Sequence, residues 1–396
     1  MKNIFISVVV LFSALQATTI SLVDIEEKLQ KTHPLHLSFK EQELSNIAKS
    51  KGEYARSPIV LQGGSTQAEP LGEDSELEYS IGAQKTFVFG NKKNLEISNL
   101  NNLASQLELK KELLAFNNEL KLLYHQSCLE KTKTETYEKL YRDFEKLYAK
   151  KQKAYEYKEI SKKEFLQLKI EKADLKQRLQ GFKANESISK FSLFSIIGVN
   201  DSKTKLYCQD MHPMEFTKDG EKALFTLSKE ALDSQILAAK KSTKLYDRNF
   251  ESVDLSLGYD NEIDMKKYGV GISLPLSFTS DANEYKKVSA LHKQKALRFK
   301  KESLLLAKNQ KFKALKSKLQ NSKNLILMAS ENIKIGENEL SPLIEKSYQL
   351  GESSVVLYLL EREKLWRLYL TLNDYKKRYY QTLFELYTVA ELKGKK

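Results

Sequence analysis

The sequence predicts a mainly α-helical chain with a small β part, in which one plan of long antiparallel helical hairpins is used twice. Three observations carry this. The helical pattern of Ser347–Leu365 (SYQLGESSVVLYLLEREKL) breaks at a few turn-like residues and restarts behind a hydroxyl residue, and Ala154–Lys172 (AYEYKEISKKEFLQLKIEK) does the same. A shift of 193 (348 minus 155) lays Tyr155 on Tyr348, Ser161 on Ser354, Leu166 on Leu359 and Leu175 on Leu368, the mark of an internal repeat. Each half also carries two short extended segments at the matching place. Finally, only 6 Pro and 15 Gly punctuate 396 residues, so the elements must be long.

Composition narrows the class. Apolar residues make up 41% and charged residues 30%, which excludes a disordered chain and a bundle of membrane-spanning helices. The net charge of +13 raises nucleic acid as a partner. Lys and Glu alternate through most basic stretches, however, as on solvated helix faces, and no recognition motif accompanies them. No nucleic acid is expected. The chain opens MKNIFISVVVLFSALQATTIS, where Lys2, the apolar run Ile4–Leu15 and the small Ala17 read as a secretory signal peptide over 1–17. The alternative, a buried first helix, sits poorly with the return of polarity after Thr19. No Cys follows for lipid attachment. Nothing later approaches the ~20 apolar residues of a spanning helix, so an exported chain that crosses a membrane must do so with strands.

The first repeat occupies 18–190. Ser21–Tyr54 is helical, with a break or second start expected at His33-Pro34. Residues 57–66 (SPIVLQGGST) and 78–89 (EYSIGAQKTFVF) are strand-like. In the second, Tyr79, Ile81, Ala83 and Lys85 share one side and Gly82, Gln84, Thr86 and Val88 the other. Between them lies an acidic loop, Gln67–Glu76. The hairpin of 92–187 follows: Lys92–Tyr157 has no Pro or Gly, a rod of about 100 Å if helical throughout. After a turn at Lys158–Ile160, Phe165, Leu168, Leu175 and Leu179 mark a returning stripe, which fades near Gly181–Ser187. Residues 191–226 read as a small packed girdle rather than an enzyme domain. The second repeat, 227–392, brings a helix over Ser228–Asn249, strands at 252–260 and 267–278, and a hairpin over 281–392. In it Gly336 and Pro342 strain the first helix and Gly351 marks the turn. A basic tail, 393–396, ends the chain. Four strands cannot make a sheet with both edges covered. If they span a membrane, they must close a barrel with other copies of the chain.

This order of elements resembles the TolC-like outer-membrane efflux proteins, over about residues 20–392. The resemblance rests on the repeated Gly-x-x-Ser/Thr turn, here Gly351-Glu352-Ser353-Ser354, followed by Leu359 and a Glu/Lys helix. His33-Pro34, Tyr79-Ser-Ile-Gly82 and Tyr268-Gly-Val-Gly271 add to it. It implies a homotrimer whose subunits each give four strands to one shared twelve-stranded barrel in the outer membrane of a Gram-negative bacterium. The hairpins would form a tube through the periplasm. Expected partners are further copies of the chain, outer-membrane lipid, a periplasmic adaptor and an inner-membrane transporter. The tip of the tube would be Lys158, Glu159, Ile160 and Ser161 with Gly351, Glu352, Ser353 and Ser354, where adaptor docking is expected. Ser353 or Ser354 also suits a helix cap. Lys158 stands where the family has Gly, which implies either a strained turn or another cap. Some members close the tube with acidic rings six and nine residues beyond the second Gly; here these are Leu357 and Leu360, which implies an apolar constriction. Glu164 and Glu361 are expected in surface pairs with Lys.

Other side chains carry weaker signals. Cys208, Met211, His212 and Met214 are of types that suit Cu(I), but the cluster lacks a second Cys, and no metal or other cofactor is expected. Cys128 lies ~29 residues up the helix from the first turn, about 44 Å, and Cys208 follows a returning helix of ~27 residues, about 40 Å. Equal height in an oxidising compartment makes a girdle-to-helix disulfide an expectation. There is no enzyme signature: no Ser/His/Asp order, nucleophile elbow or phosphate loop is present. The reading is an outer-membrane channel that conducts passively what an inner-membrane pump exports, with type I protein secretion and heavy-metal efflux as variants. The rival from another class is a periplasmic coiled-coil spacer without a pore.

Overall fold

The computed structural model describes residues 19–68, 76–199, 204–209, 211–216, 224–247, 250–262, 264–276 and 281–393. The expected signal peptide, the middle of the loop at 67–76 and residues 394–396 lie outside them.

A short strand, β1 (Thr19–Ile20), leads into α1 (Leu22–Thr32). Ser21 and Asp24 form a reciprocal capping box, each side chain accepting the other's backbone N–H. The first helix breaks at His33-Pro34, and α2 (Pro34–Glu53) restarts with proline where a missing N–H is harmless. His33 fixes the joint: its Nε2 donates to the Ile196 carbonyl at 2.8 Å, and its Nδ1 accepts the Leu35 N–H at 3.2 Å. Then come β2 (Ile59–Ala68) and β3 (Glu76–Val88), followed by α3 (Asn91–Glu156), whose 66 residues run without a break. The return helix α4 (Lys162–Ile197) continues well past Ser187. No Pro or Gly falls between Phe182 and Ile197, and Gly198, left-handed at φ 63°, is what stops it. Phe191–Ile197 therefore belongs to the hairpin and not to the girdle expected at 191–226.

Beyond it lie β4 (Lys205–Leu206), α5 (Thr226–Leu245), β5 (Ser252–Asn261) and β6 (Lys266–Ser273). The last strand stops short of 278 because Pro275 has no N–H to give the ladder; a single bridge, Phe250 to Leu276, follows. The helix expected over 281–349 is divided into α6 (Ala282–Ile335), a π-helical turn at Gly336–Leu340 and α7 (Ser341–Gln349). Pro342 removes an N–H just beyond that turn. A Cβ on Gly336 would collide with the Leu365 side chain, so glycine lets this turn approach α8 (Val355–Ala390).

The chain forms two compact units. One comprises Leu37–Leu113 and Lys222–Lys311 and holds an antiparallel sheet in the order β2-β3-β5-β6. The register places Leu61, Ala83, Leu257 and Val270 in one row, and Ile81, Tyr259 and Tyr268 in the next row on the same side. That side is apolar and uncovered, with Leu61 77% and Val270 79% exposed. The opposite side is mostly small and polar, and one row across it reads Gln62, Gly82, Gly258, Gly269. The helices of this unit follow the strand order. Ser50 on α2 bonds Ser98 on α3 at 2.8 Å, Lys241 on α5 pairs with Glu96 on α3 at 2.8 Å, and Lys301 on α6 pairs with Asp233 on α5 at 2.6 Å.

The other unit comprises Met1–His36, Leu114–Glu221 and Phe312–Lys396. It has two cores. Leu22, Ile25 and Leu29 of α1 pack with Leu120, Tyr124 and Cys128 of α3, Leu193, Phe194 and Ile197 of α4, and Leu206. Further along the hairpins, Tyr137, Phe144, Leu168, Leu175 and Leu179 pack with Tyr348, Val355, Tyr358 and Trp366. That second core joins the first hairpin to the second.

Candidate functional site

The two turns expected as tips have one geometry. Lys158 and Gly351, 193 residues apart by subtraction, are both left-handed, at φ 63° and 74°. In the first turn the Glu159 N–H reaches the Ala154 carbonyl at 2.8 Å and the Lys158 N–H the Tyr155 carbonyl at 2.9 Å. In the second, Glu352 N–H reaches Ser347 at 2.9 Å and Gly351 N–H reaches Tyr348 at 3.2 Å. Both are the paired six-to-one and five-to-two bonds of a Schellman motif. Ser161 then caps α4 by accepting the Glu164 N–H at 3.1 Å, and Ser354 caps α8 by accepting the Leu357 N–H at 3.3 Å. Lys158 thus takes the strained conformation and keeps the same cap, which resolves the alternative left by the sequence. Ser353, beside Ser354, has a buried hydroxyl without a partner.

Behind the turns the hairpins are tied together. Tyr348 donates its hydroxyl to Glu164 Oε1 at 2.9 Å, from the second hairpin to the first. Lys151 lies 3.8 Å from the same carboxylate and 4.3 Å over the Tyr348 ring. The ring stacks on Tyr358 at 4.4 Å, whose hydroxyl accepts from Arg362 at 2.8 Å. Burial, then the Glu164 carboxylate beside it, pushes the Tyr348 phenol well above its ordinary value. Glu164, expected only in a surface pair with Lys, has this second partner. Glu361 does pair with Lys364, at 2.7 Å. Sequence reasoning missed the Tyr348–Glu164 bond, although the repeat places both near a tip. Leu357 and Leu360 sit on the first turns of α8, 48% and 51% exposed. A groove of about 1090 Å³ runs between α3 and the second hairpin, with Lys146, Lys150 and Lys151 on one wall and Glu337 and Glu345 on the other.

Further from the tips, the chain after α4 crosses α3, α8 and α6 as a strap. Lys205–Leu206 pair with Thr19–Ile20 in parallel, and Tyr124 donates its hydroxyl to the Tyr207 carbonyl. Cys208 forms a disulfide with Cys128, their Cα atoms 5.5 Å apart. The His212 N–H donates to His125 Nε2 at 2.6 Å, and the Tyr380 hydroxyl donates to the His212 carbonyl at 2.8 Å. Phe216 packs on Tyr387 and Phe312. The copper reading of Cys208, Met211, His212 and Met214 loses its thiolate, because the Cys208 sulfur is committed to Cys128 and His212 Nδ1 faces the Pro213 carbonyl. Among the described residues, no group of three or more His, Cys, Asp or Glu is placed to hold a metal ion, and no helix is long and apolar enough to cross a membrane.

Helical hairpins in tandem, each introduced by a strand pair and closed by a capped turn, define a class: this is the fold of the TolC-like outer-membrane efflux channels. The chain is similar to CusC, described through conformational changes accompanying folding and transmembrane channel formation, with a TM-score of 0.76, 15% identity, and coverage of 92% of this chain and 90% of that one. It is similar to the open-state MtrE outer membrane channel of Neisseria gonorrhoeae, with a TM-score of 0.72, 12% identity and coverage of 97% and 94%. For the CmeC outer membrane channel of Campylobacter jejuni the TM-score is 0.70, the identity 13% and the coverage 95% and 87%. No family model and no curated sequence matches the chain.

Proposed function

We propose that the protein is an outer-membrane channel subunit of an efflux system, conducting passively through a barrel and a periplasmic helical tube. The observation that carries this reading is the sheet. Its apolar side is uncovered and its other side is small and polar, as a strand set between lipid and water requires. From Tyr79 to Phe87 on β3 the apolar face covers eight residue-to-residue steps, about 27 Å along the strand, close to the band of a bacterial barrel. Lys85, the charge on that side of β3, turns its amine to the Ser57 carbonyl. A water-soluble coiled-coil spacer has no use for such a sheet.

Closure calls for more copies. Among the described residues, the sheet's outer strands, β2 and β6, each leave one edge unpaired, and the helices beside them are edge helices too. On α6, Tyr285, Phe299 and Leu306 are 72%, 68% and 64% exposed, and on α2, Leu37 and Leu44 are 46% and 50% exposed. Each set falls at multiples of seven residues, the spacing of a helix seam. Joining β6 of one copy to β2 of the next brings these seams together. This favours a homotrimer with a twelve-stranded barrel.

In this reading the tips close the tube, Leu357 and Leu360 narrow it, and the groove beside α3 takes a helical hairpin of a periplasmic adaptor. An inner-membrane transporter supplies the energy. The protein itself carries out no catalysis. The test is purification from the outer membrane in detergent, then reconstitution in a planar bilayer. Heat-labile trimers and discrete conductance steps are expected. A monomer that stays in the soluble periplasmic fraction overturns the reading.

A further inference from the structure

The strap, described at 204–209 and 211–216, ties α3 to α8, and so the first hairpin to the second, at the level of Cys128 and Tyr380. Its central fastener has a fixed proton arrangement. His125 Nδ1 lies 2.6 Å from the Lys121 carbonyl and must donate to it. Its Nε2 must then be bare, because it accepts the His212 backbone N–H. A second proton on His125 would set N–H against N–H and end the bond. His212 is bound by the same logic: Nδ1–H donates to the Pro213 carbonyl, and Nε2 is buried with no partner to receive a proton from it. Both rings are shut away from water, at 0% and 2% exposure.

The groups facing the pair do not welcome positive charge. Among the described residues, α3 brings Tyr124, whose ring lies 5.6 Å from that of His125, and Lys121, 3% exposed at its side chain and paired with Glu26 of α1 at 2.9 Å. From α8 come only rings: Tyr380 and Phe384 pack on His125, and Phe384 and Tyr387 on His212. Burial, opposed by the Lys121 carbonyl and aided by the His212 ring, pushes His125 down to about 4, and burial lowers His212 as well. Four residues before His212, Cys208 is held to α3 by a bond with no proton to lose.

We propose that the strap is fastened twice, by the His212 N–H to His125 bond, which fails on acidification, and by the Cys128–Cys208 disulfide, which does not, so that oxidation keeps the hairpins tied when the compartment turns acidic. The disulfide forms by exchange with an oxidised dithiol protein of the export compartment. The two thiols of Cys128 and Cys208 become one disulfide, the partner's disulfide becomes two thiols, and two electrons and two protons pass to it. This rests on export alone and not on conduction.

Hydrogen–deuterium exchange on the detergent-solubilised full-length protein tests it, with protection of the 204–216 amides corrected for intrinsic rates at about pH 7 and about pH 5. With the disulfide intact, protection changes by less than about threefold. In the Cys128→Ser/Cys208→Ser variant it falls by at least about tenfold on acidification. Adding His125→Gln, a carbonyl acceptor that does not titrate, removes most of that fall. If the double variant does not fold, phosphine reduction of the folded protein gives the same comparison. Equal protection at both pH values without the disulfide overturns the proposal. So does a fall that His125→Gln leaves in place.

Discussion

Tyr348 and Glu164 are 184 residues apart in sequence and 2.9 Å apart as hydroxyl and carboxylate, directly behind the two capped turns. The bond is made between hairpins, so parting them must break it. Tyr348→Phe removes it while keeping the stack on Tyr358. Single-channel recording is expected to show more frequent openings, and Glu164→Gln should do the same to a smaller degree, because an amide oxygen still accepts. A Tyr348→Phe channel with unaltered opening frequency would remove this bond from the gate.

Leu357 and Leu360 stand half-exposed at the start of α8. In the proposed constriction they resist wetting, so Leu357→Ser with Leu360→Ser is expected to raise conductance severalfold without weakening the proposed trimer. Unchanged conductance discards the apolar constriction.

Lys158 is left-handed without being glycine. Lys158→Gly relieves that strain against a more flexible unfolded chain, a net gain of about 1 kcal/mol. Gly351→Lys should cost about the same, and Ser161→Ala or Ser354→Ala about 1 kcal/mol each through the lost cap. Melting temperatures of the four variants measure this. A destabilising Lys158→Gly would mean that the lysine side chain contributes more than its backbone strain costs.

Gly336 faces Leu365 with no room for a Cβ. Gly336→Ala should destabilise the second hairpin by about 2 kcal/mol through overpacking. Leu365→Ala, mildly harmful alone, should recover part of that loss in the double variant. Strict additivity in a thermal double-mutant cycle would show that the two sites do not meet.

Acid stability follows from His125. Unfolded, the ring takes its proton near 6.5; folded, only near 4. The unfolded chain therefore binds more protons between those values. Stability is full above about pH 6.5 and drains as pH falls towards 4, by about 3 kcal/mol in all. His125→Gln should flatten that part of the melting-temperature profile, and a slope equal to wild type would assign the acid lability to other groups.

Much of this was legible in the chain. The absence of Pro and Gly from Lys92 to Tyr157 announced α3, and the hydroxyl residues Ser161 and Ser354 announced the helix restarts. His33-Pro34 announced the first break. The left-handed Lys158 was half legible: its place at the family's Gly position left a strained turn or another cap, and nothing in lysine decides between them. The end of α4 was misplaced because Gly181 was read as a stop, whereas an exposed helix tolerates one glycine at about 1 kcal/mol. His125, Tyr380 and the Tyr348–Glu164 bond were invisible for another reason. Their partners lie 87, 168 and 184 positions away, and side-chain pairing over such distances leaves no local pattern.

The open edges of β2 and β6 have a genetic consequence. A subunit with one edge blocked, for instance by a proline at Val270, would still enter a ring through its intact edge and then leave that ring unsealed. In the proposed homotrimer, such a subunit expressed in equal amount beside normal ones would spoil every ring it joined, sparing about one in eight if copies mix at random. Under the proposed function, loss of export would then appear in cells that still make half their subunits correctly. The allele would be dominant, and adding more of the normal gene would cure it only slowly.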